Sequence, residues 1–125
     1  MSERKKAHAS RHAPAFILLF LARGANYGAA LLAQMEQEMP HFLGDSAMIY
    51  RTLRDLENQE CLKTSWQTEG SGPPKKIYQI TPKGWLRLTE FKQDILKRQE
   101  NFSYFLSSFQ AIQHSEQPQT GEELR

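Results

Sequence analysis

Residues 46–81 read SAMIYRTLRDLENQECLKTSWQTEGSGPPKKIYQIT. The first part of this stretch has a helical period. At about 100° per residue, Ile49, Leu53 and Leu56 fall within a narrow arc. Ala47, Tyr50, Arg51, Arg54 and Asn58 occupy the opposite arc, with Asp55 at its edge. The spacing predicts a helix over Ala47–Glu60, capped by Ser46, whose outward face is cationic and aromatic. The second part changes period. Leu62–Thr68 and Lys76–Thr81 are rich in β-formers, with Trp66, Ile77, Tyr78 and Ile80 the large ones, and Glu69-Gly70-Ser71-Gly72-Pro73-Pro74 lies between them. That order predicts a hairpin with a long, flexible tip. Thr81-Pro82 then gives the start signal of another helix, with Thr81 as N-cap and Pro82 in the first turn.

Upstream, Pro14–Arg23 reads as a helix that Gly24 ends. Phe16, Ile17, Leu19, Phe20 and Leu21 make it apolar nearly all round, which predicts burial in the middle of the domain. Asn26 is the expected N-cap of a further helix, Tyr27–Glu38, with Leu31, Leu32, Met35 and Met39 as its buried stripe. Pro40, Gly44 and Asp45 close that helix and make a turn. Downstream of Thr81, the last helix is predicted to run to about Ile112. Its apolar positions are Leu88, Phe91, Ile95, Phe102, Phe105, Phe109 and Ile112, a heptad seam in which Arg98 is the one polar insertion.

Three helices, a two-stranded wing and a long helix give a mainly α fold with a small β-hairpin. This is the winged variant of the helix-turn-helix, followed by a long C-terminal dimerisation helix. In that arrangement the second helix crosses the DNA backbone and the third enters the major groove.

Length and composition agree with one such domain. The chain has 125 residues, 39% of them hydrophobic and 24% charged. The longest apolar run, Ala13–Ala22, is far short of the roughly 20 residues a membrane span needs. A single cysteine, Cys61, excludes a disulfide framework and suits a reducing, cytoplasmic setting. The net charge of +2 says little about nucleic acid, but its distribution says more. Residues 1–12 carry Arg4, Lys5, Lys6 and Arg11 against Glu3, and read as a flexible basic arm able to follow a phosphate backbone. Residues 113–125 read as a polar, flexible tail. The expected organisation is arm 1–12, winged-helix domain 13–81, dimerisation helix 82–112 and tail 113–125.

No catalytic set is visible. His8, His12, His41 and His114 share no metal-ligand spacing, and neither a P-loop, a Rossmann fingerprint nor a nucleophile elbow occurs. The expectation is a non-enzyme with no metal and no cofactor.

Three segments resemble the PadR-type transcriptional regulators. Phe16–Leu32 (FILLFLARGANYGAALL) is similar to that family's opening apolar helix, Gly-containing turn and Tyr-Gly start to the second helix. Ile49–Leu62 (IYRTLRDLENQECL) and Gly70–Thr81 (GSGPPKKIYQIT), followed by Pro82-Lys83-Gly84, resemble its third helix and wing. The chain departs from the family pattern in having Glu60-Cys61 where Glu-Gly is usual and Ser46-Ala47 where Pro-Gly often opens the third helix. The resemblance implies a homodimeric repressor of double-stranded DNA, with the last and first helices building the dimer. In some members a small, often aromatic, effector releases the DNA. The long last helix also resembles that of replication terminator proteins. The alternatives of a replication-terminator-like or architectural DNA-binding protein, and of a protein-interaction adaptor, therefore stand beside it.

The residues expected to touch DNA are Ser46, Ala47, Tyr50, Arg51 and Arg54 on the third helix and Lys75 and Lys76 on the wing. Arg suits bidentate contact with guanine or phosphate. The opposing reading of the arginines is a solvated face paired with Asp55 and Glu57. That of the lysines is a charged hairpin edge. Trp66, Trp85 and the phenylalanines read as packing, and Cys61 as a small buried thiol. Arg98 either sets register on the seam or supplies charge to a pocket between protomers.

Overall fold

The computed structural model describes residues 11–120, with side chains described through 115. Its elements are α1 (Ala13–Ala22), β1 (Asn26–Tyr27), α2 (Gly28–Glu38), α3 (Ser46–Asn58), β2 (Leu62–Gln67), β3 (Lys75–Ile80) and α4 (Pro82–Thr120). The chain divides into two compact units, Met1–Glu90 and Phe91–Arg125. The division falls inside α4, so the first turns of that helix belong with the winged helix.

The core of the first unit is the apolar side of α1 packed against α3. Ile17, Leu18, Leu21, Leu31, Met35, Ile49, Leu53 and Leu56 are almost wholly buried. Burial of α1 is one-sided at one position: Leu19 is 45% exposed, so the helix is central but not enclosed all round. Pro40 forces Met39 into the extended conformation and ends α2 there. Arg23, the C-cap of α1, donates to both carboxylate oxygens of Glu38 at the end of α2. The hydrogen bonds from Arg23 hold the Glu38 carboxyl below the usual carboxylate range.

Two helix starts differ from expectation. Asn26 does not cap α2. It lies in a third, two-residue strand, β1, paired antiparallel with β3 through Asn26 opposite Tyr78 and Tyr27 opposite Ile77. The sheet is therefore three-stranded, in the order β1-β3-β2. A strand of two residues is too short to show alternation in sequence. The cap of α3 is Asp45 rather than Ser46: the Asp45 carboxylate accepts the Met48 N–H at 2.9 Å. An ionised acceptor at a helix N-terminus has the helix dipole as well as the hydrogen bond in its favour.

The end of α3 organises the rest of the first unit. Cys61 N–H donates to the Leu56 carbonyl and Glu60 N–H to the Glu57 carbonyl, both at 2.9 Å. This is a Schellman ending, and it requires a left-handed residue, here Glu60 at φ 66°. Against the family pattern, the glycine-like position is thus Glu60, not Cys61. The Thr81 hydroxyl donates to the Glu60 carbonyl at 2.8 Å, and Thr81 N–H donates to the Cys61 carbonyl at 3.0 Å. The same Thr81 oxygen accepts the Gly84 N–H at 3.0 Å, the cap expected of it. Gly84 rests directly on the Cys61 backbone, so that a Cβ there would collide with the Cys61 carbonyl oxygen. Cys61 itself is buried and unpaired.

In the second unit, α4 continues past Ile112 to Thr120. Residues 113–120 were expected in the tail because they carry no apolar stripe. Extending an established helix is far easier than nucleating one, so polar residues can continue it.

Two substitutions at this junction should act in opposite directions. Gly84→Ala should destabilise the fold by about 1–3 kcal/mol through overpacking against a carbonyl that cannot retreat. Glu60→Gly should stabilise it by about 1 kcal/mol by relieving the left-handed conformation. Urea unfolding followed by circular dichroism reads both. Equal midpoints for the two variants would contradict the assignment.

Candidate nucleic-acid interface

The exposed side of α3 carries the residues expected there. Ser46, Ala47, Tyr50, Arg51 and Arg54 are all exposed, because Met48, Ile49, Thr52, Leu53 and Leu56 take the buried side. Among the described residues neither Arg51 nor Arg54 has an ion-pair partner. Neither Asp55 nor Glu57 forms an ion pair with them. Tyr50 plays a second part. It is 46% exposed, and its ring occupies the space a Cβ at Gly28 would need. The tyrosine therefore also packs α3 onto the first turn of α2.

Glu57 is engaged with the wing. One carboxylate oxygen accepts from Lys76 Nζ at 3.2 Å and the other from the Thr64 hydroxyl at 3.2 Å. Both partners project from the same hairpin face, in a register that pairs Leu62 with Ile80, Thr64 with Tyr78 and Trp66 with Lys76. Lys76 Nζ also lies 5.4 Å from the Tyr78 ring centroid. The salt bridge is two-thirds buried at both ends, so it is less screened than a surface pair. Lys76, expected beside DNA, is thus a brace between α3 and the wing. Lys75 is exposed, with its ammonium 4.9 Å from the Tyr27 ring centroid.

Trp66 breaks with its expected packing role. It is 62% exposed, because β2 runs outward from the core. Along this face burial falls from Leu62, which is buried, through half-buried Thr64 to exposed Trp66. Its position three residues before the Glu69–Pro74 tip was the available signal. Of the basic arm, Arg4, Lys5 and Lys6 lie outside the described residues, and Arg11 is exposed.

Along α4, the seam positions are largely uncovered. Phe102, Phe105, Phe109 and Ile112 are between 53% and 65% exposed, and Leu88 and Phe91 are half-buried. Ile95 is also exposed, and the Phe105 and Phe109 rings stack at 6.3 Å. Arg98 donates to Asp94 at 2.7 Å within the same helix. Among the described residues no group of three or more His, Cys, Asp or Glu is placed to hold a metal ion, and no helix is long and apolar enough to cross a membrane.

Residues 17–90, which include α3 and the wing, match the family described as the PadR-like transcriptional regulators. The chain belongs to that family. Solved structures agree with it. A conserved protein of unknown function, described as a potential transcriptional factor, is 32% identical, with a TM-score of 0.70 over 81% of this chain and 90% of its own. The circadian clock associated protein Pex from Anabaena is 26% identical, with a TM-score of 0.57 over 78% of this chain and 83% of its own. A PadR family transcription regulator from Clostridium difficile shares the fold at 21% identity, with a TM-score of 0.67 over 76% of this chain and 98% of its own. No curated protein matches the chain. The wing brace through Glu57 is thus a feature of a PadR-like scaffold in which the third helix and hairpin are joined by side chains as well as by backbone.

The brace has a measurable coupling. A double-mutant cycle of Glu57→Gln and Lys76→Met, read by urea unfolding, should return about 0.5–1 kcal/mol of favourable interaction. A coupling of zero would mean that the Lys76–Glu57 pair contributes nothing to holding the wing on α3.

Proposed function

We propose that this PadR-like regulator is a homodimeric repressor that acts by occupying a double-stranded operator in the cytoplasm, without catalytic turnover. The observation that carries this reading is the pair of arginines, Arg51 and Arg54, that have no ion-pair partner among the described residues and lie on the exposed side of α3. A guanidinium with no internal partner keeps its full donor fork for guanine edges or phosphate oxygens. Ser46 and Ala47, in the first turn, are small enough to let the α3 N-terminus approach a phosphate. Tyr50, fixed by Gly28, presents its hydroxyl from the same face. Lys75 and the arm residues Arg4, Lys5, Lys6 and Arg11 add sequence-independent attraction.

Dimerisation is supported by the α4 seam. Several exposed aromatic and aliphatic side chains in one stripe exceed what a monomer ordinarily leaves in water. Leu88, Phe91, Ile95, Phe102, Phe105, Phe109 and Ile112 are the proposed contact residues. An effector of the small aromatic kind would enter between the protomers along these rings, where association creates an aromatic-lined chamber.

Two results are expected. Arg51→Ala and Arg54→Ala should each weaken binding to the preferred site by about 1–3 kcal/mol where the contact is to a base. Where it is to phosphate, each should lower the slope of log affinity against log salt by about 0.9. Lys76→Met combined with Glu57→Gln, which removes both charges of the brace together, should leave that slope unchanged. The operator comes from fragments of the source genome recovered on the purified protein, and anisotropy titrations give the affinities. Unchanged affinity in the double arginine variant would move the DNA face elsewhere. Separately, Phe102→Asp with Phe105→Asp should convert a dimer to monomers or aggregates by light scattering. A monomeric wild-type protein at micromolar concentration would refute the seam.

A further inference from the structure

We propose that Trp66 is a non-ionic contact to the DNA backbone, made by an indole that the wing holds out of the core for this purpose. The proposal rests on the DNA-binding reading above and adds a residue, and a kind of contact, that the cationic residues do not supply.

Three observations converge on it. The first is exposure: Trp66 leaves 62% of its surface in water, and among the described residues it has no ring partner. The core does not need it, since the sheet face it shares is already closed by Leu62 and Tyr78. The second is position. Trp66 is paired with Lys76, the residue that ties the wing to α3 through Glu57. The indole is therefore carried on the segment whose placement relative to Arg51 and Arg54 is fixed by the brace. The third is charge. Lys76 is neutralised by Glu57, and Lys75 lies over the Tyr27 ring. Beside the exposed Lys63 and Lys75, the hairpin thus offers at Trp66 an apolar ring with a single N–H donor, a contact that needs no free charge.

The chemistry of such a face fits the sugar–phosphate wall of a duplex. The indole rings match the apolar side of deoxyribose. The Nε1–H can only donate, and a phosphate oxygen can only accept. Sugars and phosphates repeat at every nucleotide, so the contact should strengthen all sequences alike. It brings no charge, so it should displace no counterions and leave the salt dependence untouched. That combination, lower affinity with an unchanged salt slope, separates an indole contact from an arginine or lysine contact.

The test uses the full chain and a random-sequence duplex, since the contact does not depend on an operator. In a Trp85→Phe background Trp66 is the only indole, and its emission is followed as labelled duplex is titrated and anisotropy reports binding. Emission should be quenched in step with anisotropy. Trp66→Ala should weaken binding about tenfold at every salt concentration, with parallel plots of log affinity against log salt. Trp66→Phe should recover part of the loss, because the ring remains and the donor does not. Circular dichroism confirms that each variant is folded. Binding with unchanged emission, or a Trp66→Ala variant of wild-type affinity, would overturn the contact while leaving the DNA-binding reading intact. A shallower salt slope in Trp66→Ala would mean that the indole acts through the neighbouring lysines, and would also overturn it. A duplex that fails to bind the unaltered protein would overturn the DNA-binding reading and this contact with it.

Discussion

The carbonyl oxygen of Cys61 is the point on which the winged helix turns. It accepts the Thr81 N–H and lies under Gly84, so the last residue after α3, the start of β2 and the first turn of α4 meet at one peptide. Three constraints follow from that meeting. Glu60 must be left-handed so that Cys61 can turn back onto Leu56. Thr81 must carry a hydroxyl that serves Glu60 and Gly84 together. Position 84 must have no side chain. The Thr81-Pro82-Lys83-Gly84 sequence after the wing therefore has a mechanical explanation: Thr81 caps, Pro82 pre-sets the first turn and Gly84 lets that turn reach the backbone of Cys61.

Near the junction, Glu57 decides how charge is distributed over the outward face. A carboxylate close to a DNA-reading surface opposes binding unless it is compensated. Here it is compensated by Lys76 and by the Thr64 hydroxyl. Arg54 and Arg51, about one and two turns back along α3, have no ion-pair partner among the described residues. The pairing could have gone the other way, because Arg54 is three residues from Glu57 and within reach on a helix. Lys76 wins in this structure since it approaches from the sheet, is two-thirds buried with its partner and is supported by the Tyr78 ring. A less screened pair is worth more than an exposed intrahelical one. The same choice links the wing to α3, so the placement of charge and the joining of the two elements have one cause.

The sequence showed what rests on periodicity and on local chemistry. The Ile49, Leu53 and Leu56 stripe, the hairpin around Glu69–Pro74 and the Thr81-Pro82 start are decided within a few residues of themselves, and each stands where it was expected. What rests on distant partners was not legible. Asn26 looked like a cap because caps and turns favour Asn, yet Tyr78 recruits it into a strand. Ser46 and Asp45 are both good caps by type. Which one serves depends on where the loop from Pro40 delivers the chain. The second role of Tyr50 is set by Gly28, and the engagement of Lys76 by Glu57, each about twenty residues away. Trp66 was misread for a related reason: aromatic residues in strands usually pack, and only the fall in burial along β2 reveals that this one does not.

On the α4 seam, the polar insertion narrows what the helix can do. Arg98 interrupts a run of apolar positions, and its guanidinium is held by Asp94 within the same helix at 2.7 Å. An i, i+4 pair of this kind closes most of the arginine's charge locally. It therefore costs less to bring near an apolar partner surface than a lone arginine would. The pair also makes the seam asymmetric along its length, with Ile95 on one side and the Phe102, Phe105 and Phe109 cluster on the other. Stacking of Phe105 on Phe109 stiffens the cluster further. Both the ion pair and the stacked rings are contacts within α4 itself, and the apolar side chains around them stay exposed.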